Sequence, residues 1–124
     1  MTAFSIKRAD LAGCGLSAAC LAHCLALPVL ASIAPAFGAA AEAEWVHWVF
    51  VAVAAPVAAF AFLRPRVSTT ARVMAVSGLV LLVAGAAEFP SHELETPVSV
   101  AGALLLAGAH IVNALRAHQG HRPE

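Results

Sequence analysis

Four long apolar runs separated by short polar links decide what this chain folds into. They cover roughly 11–37, 45–63, 71–87 and 98–115. Each holds about 17–27 residues, the length a helix needs to cross a hydrocarbon core. The links, 38–44, 64–70 and 88–97, are short enough to join antiparallel neighbours. The expected fold is therefore all-α and integral to a membrane. One domain, 1–124, forms a bundle of four transmembrane helices.

Composition removes the competing classes. Charged residues make up 11% and hydrophobic ones 61%, whereas a soluble domain carries about 25% charged residues. Such a chain cannot cover a water-facing surface. A formal net charge of zero, with no dense basic patch, argues against a nucleic-acid partner. Three cysteines cannot build a dense disulfide framework.

The charges orient the bundle. Lys7, Arg8, Arg64, Arg66, Arg72, Arg116 and Arg122 fall on one side, and Glu42, Glu44, Glu88, Glu93 and Glu95 on the other. The positive-inside rule puts both termini and the middle link in the cytoplasm. Trp45 and Trp48 anchor the outer interface. Leu11-Ala12-Gly13-Cys14 matches a lipoprotein cleavage box, but Lys7, Arg8 and Asp10 precede it where an apolar stretch is required. A cleavage site within 36–41 is set aside because the apolar run before it is too long for a signal peptide.

The chemistry lies in Ser17-Ala-Ala-Cys20-Leu-Ala-His23-Cys24-Leu-Ala-Leu-Pro28. At about 100° and 1.5 Å per residue, Cys20, His23 and Cys24 converge within one turn, and Ser17 shares their stripe. Two thiols and an imidazole inside a membrane helix suit soft and borderline metals: copper, zinc, mercury or cadmium. The plain alternative is that the cysteines only pack, although an unpaired intramembrane histidine is costly. Pro28 lacks the N–H that would bond the Cys24 carbonyl, so a kink is expected there. Pro35 and Pro56 disturb their helices in the same way. Cys14 lies off the stripe, nearer the cytoplasm, as a candidate relay thiol.

His110 and Asn113 share a face of the fourth helix, at a depth similar to the cysteines. His110 is a candidate ligand; the bland role is a hydrogen bond between helices. Outside, Glu42, Glu44, His47, Glu88, His92, Glu93 and Glu95 form a cluster able to gather cations. Solvated acids that keep the links outside explain most of it; His47, between two tryptophans, is the exception. His118 and His121 read as a loose pair in a solvated tail. Ser68 is expected to cap the third helix. No hydrolase or transferase constellation is present, and an enzyme is not expected.

The Cys-x-x-His-Cys run leading to Pro28, the Trp45–Trp48 stretch holding His47, and Ala109-His110-Ile-Val-Asn113 together resemble the MerC-like family. These are small bacterial inner-membrane proteins with four spanning helices. The resemblance implies metal transport, in which mercuric ion is taken up by a cysteine pair of the first helix and passed to a cytosolic acceptor protein. The mercury-operon members space that pair three apart and carry cysteines in a cytoplasmic tail. Here the second thiol is Cys24, four residues on, and 116–124 has none.

The expected site is thus Cys20, His23, Cys24, His110 and His47, with a metal ion as cargo and no firm resident cofactor. A homo-oligomer is compatible with four short helices. Two other classes stay open. One is a haem or thiol redox protein, with His23 and His110 as axial ligands on two helices. The other is a structural membrane subunit whose cysteines and histidines merely pack.

Overall fold

A computed structural model describes residues 3–41 and 43–119. Glu42, His121 and Arg122 lie outside the described residues, so the expectations placed on them are not addressed. Four long helices carry the fold: α1 (Ala3–Ile33), α3 (Glu44–Phe62), α4 (Thr69–Ala86) and α5 (Glu95–Gln119), with a four-residue turn of helix, α2 (Gly38–Ala41), after the first. All four are long and apolar enough to cross a membrane. Among the described residues there is no strand. Each long helix packs on two neighbours: α1 on α3 and α5, and α4 on α3 and α5. The acidic links lie at one end of this ring and the described Lys and Arg residues at the other.

The helix bounds differ from those expected, for local reasons. The first helix stops at Ile33 instead of 37. Pro35 opens a 3-10 turn, and Ala34 before it is extended, with φ −134° and ψ 101°, because a following proline disfavours the α region. Pro28, lacking its N–H, is carried inside a continuous α1. The last helix begins at Glu95 instead of 98. Pro97 falls in its first turn, where a missing N–H leaves no bond unmade. Ser68 does cap α4, accepting from the Ala71 N–H at 3.2 Å. Arg72 finishes α3 from the next helix, donating to the Phe62 and Arg64 carbonyls.

The packing is inverted relative to a soluble protein. Leu11, Val29, Ile33, Leu63, Val73 and Val76 point outward. Alanine, glycine, serine and cysteine make up most of the inside, together with Phe62, Leu82 and Leu106 and with Asp10, His47, His110 and Asn113. Large apolar surfaces on every helix belong against lipid, where a water-facing monomer exposes only small patches. Small residues inside let backbones approach closely. Trp45 and Trp48 are exposed at the acidic end, as interfacial anchors are.

The closest approach is between α4 and α5. A Cβ on Gly78 would lie 2.9 Å from the Gly102 carbonyl oxygen, and one on Gly102 would lie 2.8 Å from that of Gly78. One level on, Gly85 faces Ser99. Gly102→Ala must therefore push backbone away from backbone. Overpacking of this kind costs about 1–3 kcal/mol. The expected result is a lower midpoint when the detergent-purified protein is unfolded in SDS, followed by far-UV circular dichroism. Gly15, with open space around it, is the control: Gly15→Ala should not lower the midpoint.

Candidate metal site

One face of α1 is buried along its length at Asp10, Gly13, Ser17, Cys20 and Cys24. Steps of three and four residues keep these positions on one stripe of the helix. Two polar centres hang from that stripe, at different heights.

The first is toward the acidic end. Cys20 and Cys24 lie one turn apart on the buried face of α1. Across from them, α3 brings in His47, whose Nε2 is 3.7 Å from Cys24 Sγ. The His23 ring stands edge-on to the His47 ring, with centroids 5.1 Å apart, and also rests against Phe50. From α5, Glu95 reaches His47: Oε1 is 2.7 Å from Nδ1. The contact is a charge approach and not an aligned hydrogen bond. It still favours the tautomer with the proton on Nδ1, as carboxylates do for imidazoles that serve metals. The Nε2 lone pair then faces the thiol.

A cavity of about 310 Å³ opens onto this group from the acidic end. His23, Cys24 and Pro28 of α1, His47 of α3 and Glu95 of α5 line it. Cys20 lies one turn deeper, beside a void of about 10 Å³ shared with Ser17 and Leu106, which is scarcely room for one water. The site is thus reached from the acidic end and closed toward the basic end. At its mouth, His92 Nδ1 is 3.4 Å from Glu88 Oε2 and 3.4 Å from Glu95 Oε2. Glu88 holds a left-handed φ of 53° just past the end of α4, which orients its side chain toward this mouth group.

The second centre is toward the basic end. His110, fully buried, places Nδ1 3.0 Å from Asp10 Oδ1. Asn113 donates its side-chain amide to both Asp10 oxygens at 3.1 and 3.0 Å. Phe62 packs on the His110 ring with centroids 4.7 Å apart. His110 Nε2 has no hydrogen-bond partner, and it faces Gly13, where a Cβ would sit 2.1 Å away.

Of the five candidates, the structure gathers His23, Cys24 and His47 around one cavity and puts Cys20 one turn deeper on the same face of α1. It places His110 elsewhere, level with Gly13. Seven residues of helix separate Gly13 from Cys20, about 10 Å along the axis, so the similar depth expected for His110 is not observed. His23 and His110 also do not face a common space. Ser17, Cys20 and Leu106 occupy the interval between their levels. Cys14 is half-buried and off the stripe.

Two residues were missed as members of these groups. Asp10 was read only as a flanking charge, yet its spacing of 3, 4, 3 and 4 through Gly13, Ser17, Cys20 and Cys24 marks it as facing inward. Glu95 was read only as one acid of the outer cluster. No sequence signal pairs it with His47, because that contact joins two helices.

Four helices, each long and apolar enough to span a membrane, around a buried group of thiols and imidazoles define a small multi-pass membrane protein. Residues 10–115 match the family described as MerC mercury resistance protein. The chain belongs to that family, and so among membrane proteins of mercury resistance and metal transport. No curated protein and no solved structure gives a significant match.

Proposed function

We propose that this chain carries a soft metal ion, mercuric ion foremost, inward across the bacterial inner membrane, with its acidic end outside and both termini in the cytoplasm. The observation that carries this reading is Cys24, with His47 Nε2 3.7 Å from its Sγ, on a cavity open to the acidic end, and Cys20 one turn deeper on the same buried face of α1. Thiolates are the ligands that soft ions prefer. Each thiol must lose its proton to bind. His47, oriented by Glu95, takes the proton of Cys24, and the second proton leaves through the cavity to water. The ion then bridges Cys24 and Cys20. Passage onward requires α1 and α5 to part near Asp10 and His110, and a cytosolic acceptor protein completes delivery. Copper, zinc and cadmium are the competing cargoes, and His23 is the remaining nitrogen ligand.

Titration of the detergent-purified chain with mercuric ion tests this. In a Cys14→Ser background, the thiolate-to-mercury absorption in the ultraviolet should saturate at one ion per chain. It should weaken in Cys20→Ser or Cys24→Ser, where one thiolate remains, and disappear when both are replaced. An unchanged titration in those variants would overturn the reading.

A further inference from the structure

The mouth of the cavity holds a second set of donors that the thiol site does not use. Glu88, His92 and Glu95 each offer one ligand atom, and these atoms all lie within 4.8 Å of one another. The two carboxylates meet at the end of the bundle that has no described Lys or Arg. Glu95 is nearly buried, its side chain 12% exposed, while His92 is open to solvent at 75%. The cavity also draws in His47 of α3, more than nine-tenths buried, whose Nδ1 lies 2.7 Å from the other Glu95 oxygen, so that this carboxylate is held in place from below.

We propose that Glu88, His92 and Glu95 form a second cation site, for a borderline divalent ion of the zinc class. The donor chemistry sets that class. Two carboxylates and one imidazole suit zinc or cobalt, with water filling the open positions. They are poor partners for a soft ion, which the thiols below prefer. The ion neutralises two facing carboxylates. Glu95 is shared: Oε2 faces His92 and Oε1 faces His47, so it is a ligand here and a positioning residue for the thiol group. The site goes beyond the thiol reading and does not depend on it.

Cobalt(II) is the probe, because its oxygen–nitrogen complexes absorb weakly in the visible while its thiolate complexes absorb strongly in the near-ultraviolet. The full chain with Cys14→Ser, Cys20→Ser and Cys24→Ser, purified in detergent, should bind one cobalt ion with only the weak visible bands. Zinc should displace it. Adding Glu88→Gln and His92→Ala, both at solvent-accessible positions, should weaken binding by about tenfold or more, since even an outer partner contributes about 10–100-fold. In the parent chain the same two substitutions should remove the oxygen–nitrogen bands and leave any thiolate band intact. No cobalt binding to the thiol-free chain, or binding that Glu88→Gln and His92→Ala leave unchanged, overturns the second site. Absence of a thiolate band from the parent chain, with the oxygen–nitrogen bands present and removed by Glu88→Gln and His92→Ala, would count against the thiol reading and leave this one standing.

Discussion

Cells making the Cys20→Ser/Cys24→Ser chain should accumulate no more mercuric ion than cells lacking the protein, at equal membrane abundance. A serine hydroxyl stays protonated where a thiol ionises, and its oxygen is a hard donor. Losing an outer partner of a metal ligand typically costs about 10–100-fold. Losing both ligands exceeds that, so uptake should fall to background. Glu95→Gln provides the intermediate case. Its amide approaches His47 Nδ1 without the charge that holds the tautomer, so uptake should drop by about 10–100-fold with both thiols intact. Cell-associated mercury, followed over time with membrane abundance checked by immunoblot, reads all three chains. Undiminished uptake by the double variant would sink the thiol mechanism.

The largest expected effect on stability comes from the other end of the bundle. Asp10→Ala should lower the stability by about 3 kcal/mol, because it removes the partner of two buried polar side chains at once. Asn113 loses both acceptors of its amide. His110, whose Nε2 already lacks a partner, loses Nδ1 as well. Asp10→Asn keeps the shape and one acceptor oxygen, so its cost should be smaller. Since all three residues form one network, Asp10→Ala combined with Asn113→Ala should cost clearly less than the sum of the two single changes. SDS unfolding followed by circular dichroism measures each. Equal midpoints for Asp10→Ala and the parent would mean that the network does not hold α1 to α5.

What was legible in the sequence follows from which forces act along the chain and which act across it. The four spans are visible because hydrophobic length is a local property. Cys20, His23 and Cys24 are expected together from helix geometry alone; His23 and Cys24 line one cavity, and Cys20 lies one turn deeper. His47 stood out by its place between Trp45 and Trp48, yet its partners were not foreseeable: Cys24 and Glu95 belong to two other helices. His110 was misplaced in depth because its level was counted from the charged end of its own helix, without the register of α5 against α1. At that level Gly13 leaves room for the His110 ring, and Asp10 holds His110 and Asn113. Asp10 was overlooked because a charge beside Lys7 and Arg8 looks like part of a solvated end. In α1, where nearly every face is apolar, the inward side is marked by small and polar residues at heptad spacing, and Asp10 is the first of them.

The contact between Asp10 and its partners also has a consequence for the order in which the protein is made. His110 and Asn113 stand 100 and 103 residues later in the chain. At about 5–20 residues per second, synthesis of the intervening segment takes about 5–20 seconds. During that interval α1 is already available to the membrane with a carboxyl group that has no partner, close to the headgroups on its own side. A helix made much later, α5, is therefore the one that lets α1 settle to its final depth. A ribosome that stops before α5 leaves a chain in which α1 has nowhere to bury its acid.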